Sequence, residues 1–141
     1  MNKTTNIMIC GVGGQGTVLA SKLLAAAAMS KDIPVMSAET IGMAQRGGSV
    51  FSHLRMGDNL YSPMIETGTA DLIIGFEPGE TVRMLPYLKD HGHIVVSTRA
   101  VKPVTATLSG SDYDAPQMLE YLKAAVPNLT LVNADQACAD I

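Results

Sequence analysis

The stretch Asn6–Thr17, NIMICGVGGQGT, constrains this chain more than any other. Ile7-Met8-Ile9-Cys10 is a short apolar run that reads as a buried strand. It ends in Gly11-x-Gly13-x-x-Gly16, and a helical pattern over about Gln15–Ser30 follows at once. Strand, glycine turn and helix in that order open a nucleotide-binding α/β unit. The glycines there permit a tight turn, let backbone approach a phosphate, and let helix and strand pack closely. The helix start, from Thr17 on, adds free N–H groups and a positive dipole end. A turn of this kind also forms with no ligand at all, so the motif leaves both readings open. Gln15, a bulky polar residue inside the turn, is unusual for a dinucleotide site.

The chain has 141 residues, 47% of them hydrophobic and 16% charged, which fits one globular α/β domain over residues 1–141. With no Trp, two Phe and four Tyr, its core must be built from aliphatic residues and from some of its nine Met. A net charge of −3 without a Lys/Arg cluster argues against nucleic acid as a partner. The longest apolar stretch, near Leu23–Met29, is too short to span a bilayer, and Met1–Lys3 opens no signal-peptide pattern. A cytoplasmic protein with no membrane partner is expected. Cys10 and Cys138 lack CxxC spacing and are expected to be free, buried thiols, unable to hold an iron–sulfur cluster or a structural zinc.

Further along, the first helix places Leu19, Leu23, Leu24 and Ala27 on one face, predicted to be the buried one. Val35–Ala38 is a second strand, so a right-handed parallel crossover is expected. Glu39 ends it, where a dinucleotide fold has an acid for the ribose hydroxyls. Thr40–Gly48 is a polar, glycine-rich loop. Ser49–Met56 and Leu60–Ile65, flanking Gly57-Asp58-Asn59, predict a β-hairpin and therefore a mixed sheet. Asp71–Phe76 reads as a buried strand, Glu77-Pro78 as a helix start, and Pro86 as its stop. His93–Ser97, Val104–Leu108 and Leu129–Val132 read as strands. Asp114 with Gln117, and Asn133 with Gln136, carry capping-box spacing. The ending at Ile141, soon after that last helix start, leads us to expect a longer natural polypeptide. The fold class that results is a three-layer α/β/α Rossmann-like domain with a mostly parallel sheet and an inserted β-hairpin.

No nucleophile–base pair carries a supporting motif: GxSxG and HExxH are both missing from the sequence. No catalytic residue and no metal site is assigned. His53, His91 and His93 read as surface or strand-end histidines, and His91-x-His93 lacks a third ligand placed by sequence. Arg46-Gly47-Gly48 is different. A guanidinium in a glycine-rich loop can take a phosphate or carboxylate with two parallel hydrogen bonds. The candidate binding residues are therefore Gly11, Gly13, Gly14, Gln15, Gly16, Thr17, Glu39, Gln45, Arg46, Gly47 and Gly48.

Taken together, Gly11-Val12-Gly13-Gly14-Gln15-Gly16, Ala38-Glu39, Gln45-Arg46-Gly47-Gly48-Ser49-Val50, Tyr61-Ser62-Pro63, and Ala70-Asp71 through Phe76-Glu77-Pro78 occur in one order. This set resembles the gamma domain of the 2-oxoacid:ferredoxin oxidoreductases, and within them most the beta subunit of the indolepyruvate branch. The Gln-Arg-Gly-Gly form of the loop, where the wider family has Glu-x-Arg-Gly-Gly, favours that branch. The resemblance covers nearly all of the chain, although family members run longer at the C-terminus. It implies an accessory subunit that is not catalytic alone. Thiamine diphosphate and the iron–sulfur clusters sit on a larger partner subunit. A 2-oxoacid is oxidatively decarboxylated there, electrons pass to ferredoxin, and coenzyme A takes the acyl group. For this chain it implies no cofactor held alone, a contact to coenzyme A or to the partner, and ferredoxin only as an indirect partner. A homodimer is a further expectation, from the Met content and an exposed hairpin edge. The alternative is a stand-alone NAD(P)- or FAD-binding Rossmann domain, argued from the glycine turn and Glu39. A nucleotide-sensing or purely structural module is a third.

Overall fold

A computed structural model of the chain describes residues 3–40 and 46–141. Strand β1 (Thr5–Val12) runs through the glycine turn into helix α1 (Thr17–Met29), then β2 (Val35–Glu39) and β3 (Ser49–Met56). Next come β4 (Ala70–Gly75), α2 (Pro78–Met84), a 3₁₀ turn (Leu85–Tyr87) and β5 (Leu88–Ser97). The short α3 (Val104–Leu108), α4 (Ala115–Ala125), β6 (Leu129–Val132) and α5 (Ala134–Ala139) complete the order. The strands form one sheet in the order β2-β3-β1-β4-β5-β6. β1, β4, β5 and β6 are parallel, and β3 is antiparallel to both of its neighbours.

Alternation along β1 sorts the side chains into two cores. Ile7 and Ile9 join Leu54 of β3 and pack against Leu24 and Ala25 of α1. Met8 and Cys10 face the other way, with Ile73, Ile94 and Val96, under Met84 of α2 and Leu122 and Val126 of the α4 end. Helices on both faces explain why the central strands read as unbroken apolar runs rather than alternating ones. Glu77, Asp114 and Asn133 each cap a helix, accepting from the N–H three residues on. The switch between helices on one face and helices on the other falls between β1 and β4, where open α/β sheets bind ligands.

The structure corrects several expectations. The antiparallel insertion is β3, but residues 60–65 form no strand, so the hairpin drawn with them is not made. The reason is that β3 already has a partner on each edge, β1 and β2, and Pro63 lacks a ladder donor. β3 also separates β2 from β1, so the first crossover spans a gap of one strand. Residues 104–108 are helix, not strand. The β-branched residues there favoured a strand, yet β5 is flanked by β4 and β6, while Pro103 takes the Thr107 N–H into a helical turn. On α1 the inward residues are Thr17, Ser21 and Ala28, while Leu19 and Leu23 stay 60% and 61% exposed. The glycine turn fixes the helix phase with Thr17 inward, and that overrides the larger apolar stripe. Cys138 is exposed, not buried.

Candidate functional site

The glycine turn and the loop thirty residues later form one backbone-bonded unit. The Gly13 N–H donates to the Gly48 carbonyl at 2.8 Å, and the Gly47 N–H donates to the Gly13 carbonyl at 3.2 Å. These bonds continue the β1–β3 ladder past its last register pair, Val12 and Ser49. Gly47 sits at φ 75, and a Cβ there would lie 2.5 Å from a Val104 methyl carbon. Its carbonyl also accepts the Val104 N–H at 3.0 Å. The loop is thereby pressed between the glycine turn and α3, with Arg46 exposed beside the turn. Gln45 lies outside the described residues.

Above the turn the surface is open. Gly14 and Gly16 have φ of 101 and 88, and a Cβ at either would meet nothing within 4 Å. A shallow cavity of about 330 Å³ lies there, lined by Gly13, Gly14, Gly16, Thr17, Val18 and Val50. It opens at the N-terminus of the 13-residue α1, whose Thr17 is its first residue. Helix dipole and backbone N–H groups at such a position favour an anion. Gly11 lies lower: a Cβ there would crowd Gln15, Phe76 and Thr17 at 2.9–3.0 Å, so it serves packing.

Gln15 reaches across the mouth of the sheet. Its Oε1 accepts the Val12 N–H at 2.7 Å, and its Nε2 donates to the Phe76 carbonyl at 3.2 Å. It therefore bridges the carboxyl ends of β1 and β4 and fills the crevice where a dinucleotide would lie. The Gln15 N–H is itself given to the Val12 carbonyl. Glu39 is not brought to the turn. It lies opposite Ser52, which lies opposite Ile9. That puts it two strand spacings to the side, about 10 Å, and three residues short of Val12, about another 10 Å.

Sequence reasoning missed a buried polar cluster behind the loop. Glu77 is fully buried and Glu80 is 2% exposed. Glu77 Oε2 accepts the Glu80 N–H at 2.9 Å, while Oε1 has no hydrogen-bond partner among the described residues. Burial, aided by the Glu80 charge and opposed by backbone N–H groups, raises the Glu77 carboxyl to about 7. Glu80 Oε2 accepts the Ser49 hydroxyl, and its Oε1 is 3.6 Å from an exposed Arg83. Thr81 donates to the Glu77 carbonyl at 2.7 Å. Two acids spaced three apart directly after an apolar strand were the available signal, read only as a helix start.

The cysteines and histidines divide in the same way. Burial pushes the Cys10 thiol up to about 12, so it stays a neutral thiol, and Cys138 is remote from it in sequence. Two such cysteines do not fit an iron–sulfur cluster. Among the described residues no group of three or more His, Cys, Asp or Glu is placed to hold a metal ion. His53, expected at the surface, is buried between Phe51 and Tyr87 with edge-on ring contacts. Its Nδ1 accepts the Ile65 N–H at 3.1 Å. His93 pairs with Thr130 at 2.8 Å on the surface. No helix among the described residues is long and apolar enough to cross a membrane.

Comparison with known proteins gives this geometry a family. The chain is 39% identical over 132 residues to indolepyruvate oxidoreductase subunit IorB of Archaeoglobus fulgidus, covering 93% of this chain and 65% of that one. It is 42% identical over 108 residues to the IorB subunit of Methanothermobacter thermautotrophicus, covering 77% of this chain and 55% of that one. The chain thus spans less than two thirds of the length of these relatives. In fold it is similar to the gamma subunit of a keto/oxoacid ferredoxin oxidoreductase from Geobacter sulfurreducens. The TM-score is 0.55 at 24% identity, covering 72% of this chain and 57% of that one. Residues 6–139, almost the whole sequence and all of the site just described, match the family of pyruvate ferredoxin/flavodoxin oxidoreductases, and the chain belongs to that family.

Proposed function

We propose that this chain acts as an accessory subunit of a thiamine-diphosphate-dependent 2-oxoacid:ferredoxin oxidoreductase in the cytoplasm, with indolepyruvate or a related arylpyruvate as the substrate class. Two relatives named as indolepyruvate oxidoreductase subunits, at 39% and 42% identity, support the substrate class. Thiamine diphosphate and iron–sulfur clusters belong to a larger partner subunit in this reading, since the two cysteines here do not fit a cluster. Ferredoxin would then meet the partner rather than this chain.

One observation carries the part assigned to this chain: the open anion cradle over Gly14 and Gly16, flanked by exposed Arg46. The residues fit a phosphate of coenzyme A, which when bound supplies the thiol that takes up the acyl group. The Gly14, Gly16 and Thr17 backbone and the α1 N-terminus would hold the anion, and Arg46 would add two parallel hydrogen bonds. The stand-alone NAD(P) or FAD reading loses ground to Gln15 in the crevice and to the displaced Glu39.

Co-expression with a thiamine- and cluster-binding large subunit tests the assignment. The pair is expected to reduce viologen dye from indolepyruvate and coenzyme A, and this chain alone to be colourless and inactive. Arg46→Lys keeps the charge but loses the planar fork, so it is expected to raise the coenzyme A requirement, and Arg46→Ala more so. Activity of the chain without a partner would overturn the subunit reading. Unchanged turnover and assembly in Arg46→Ala would remove the loop from the site.

A further inference from the structure

A buried carboxylate costs free energy that an apolar side chain in the same place would not. Glu80 is 2% exposed, and its ion pair with Arg83 at 3.6 Å is to a side chain that is 65% exposed. That pair offsets little. The strong contact of Glu80 is the hydrogen bond it accepts from Ser49. Ser49 is the first residue of β3, opposite Val12, and the chain immediately before it is the Gly47-Gly48 segment bonded to Gly13. On β3 the side chains of Ser49, Phe51 and His53 share the face that packs toward α2, so Ser49 is held by β1 through its backbone and by α2 through its hydroxyl.

We propose that Glu80 is a positioning residue for the glycine-turn site, acting through Ser49 to fix where the Arg46–Gly48 loop leaves the sheet and thus how it lies on Gly13. The proposal rests on the anion-site reading above. It accounts for a buried acid that makes no contact with the cradle. It also ties the loop to α2, an element that otherwise packs on the far core.

The test is amide hydrogen exchange on the full chain, read at the Gly13 and Gly47 N–H groups, in wild type, Ser49→Ala, Glu80→Met, Glu80→Gln and the Ser49→Ala/Glu80→Met double variant. Loss of a hydrogen bond to a charged group is expected to speed exchange at those two amides by about tenfold or more. Ser49→Ala and Glu80→Met should have the same effect, and the double variant no more than either alone. Glu80→Gln keeps an acceptor oxygen and should stay near wild type. Exchange at the β4 and β5 amides should not follow. If Gly13 and Gly47 exchange at the wild-type rate in Ser49→Ala and Glu80→Met, the latch does not exist. If every sheet amide accelerates together, Glu80 is merely structural and the proposal also falls. Inorganic phosphate titrated onto the wild type separates the two readings. Absence of any phosphate-dependent protection at Gly14 to Thr17 overturns the anion site, while the exchange rates still decide the latch.

Discussion

Replacing Glu77 by Gln should stabilise the fold, and only above pH 4.5. In the native state burial raises this carboxyl from 4.5 to about 7. A group raised in this way holds its proton in the folded chain while the unfolded chain has already released it. Stability is therefore greatest below the unfolded value and falls as pH climbs from about 4.5 to about 7, then levels off. A gap of 2.5 units is worth about 3 kcal/mol at 1.36 kcal/mol per unit. Gln has no proton to lose, and its amide oxygen can keep the bond that Glu77 Oε2 accepts from the Glu80 N–H, so the helix cap survives. At pH 4 the two proteins should unfold alike. At pH 8 the variant should be more stable by about 3 kcal/mol. With a urea m-value of about 2 kcal/mol/M, its midpoint moves up by about 1.5 M. Each comparison is made at one pH, so contributions that do not involve Glu77 cancel in the difference. Urea unfolding followed by circular dichroism at half-unit steps from pH 4 to 8 gives the curve. Parallel pH profiles for wild type and variant would show that Glu77 ionises freely in the fold and would refute the reasoning.

Burial lowers the His53 pKa, so its contribution is lost as pH falls below 6.5, and that acid-side slope should vanish in His53→Phe. The same variant leaves the buried Ile65 N–H without its acceptor, so at pH 7.5 it should lose about 1–3 kcal/mol in urea unfolding; a neutral effect would contradict the bond. Iodoacetamide should label Cys138 rapidly and Cys10 only on unfolding, and mass spectrometry showing equal labelling would mean the β1 core opens readily. Calorimetric titration with NAD, NADP and FAD should give dissociation constants no tighter than about 1 mM, about −4 kcal/mol, and micromolar binding would restore the dinucleotide reading.

Much of the fold was legible because it depends on local chemistry. The apolar runs that became β1 and β4, and the caps at Glu77, Asp114 and Asn133, each follow from residues near in sequence. What was not legible depends on which edges are free. Nothing local in Leu60–Ile65 reveals that β3 is already paired on both sides, or in Val104–Leu108 that both sides of the preceding strand, β5, are taken by β4 and β6. The candidate site divides in the same way. The glycine turn and the Arg46 loop were visible as motifs, and the structure brings Gly13, Gly47 and Gly48 together. Glu39 fitted by spacing, but β3 inserts between its strand and β1. Glu80 and Ser49 lie far apart in sequence, and no pattern joins them before α2 packs on the sheet.

The glycines of the turn have a second use that a dinucleotide reading leaves out. Gly13 gives its N–H to Gly48 and takes the N–H of Gly47, so both of its backbone groups face another segment of chain. Gly47 in turn has no room for a Cβ against Val104. Small residues on both sides let two loops lie against each other at backbone distance, as strands do, past the end of the sheet. Gln15 then closes the crevice between β1 and β4 from the same turn. A motif that elsewhere keeps a crevice open for a pyrophosphate here seals it, and the open surface beside it is the outer one, over Gly14 and Gly16. That surface is a shallow cavity of about 330 Å³ lined by Gly13, Gly14, Gly16, Thr17, Val18 and Val50. On the proposed coenzyme A reading, a ligand held there by a phosphate would leave the rest of its length to a second subunit.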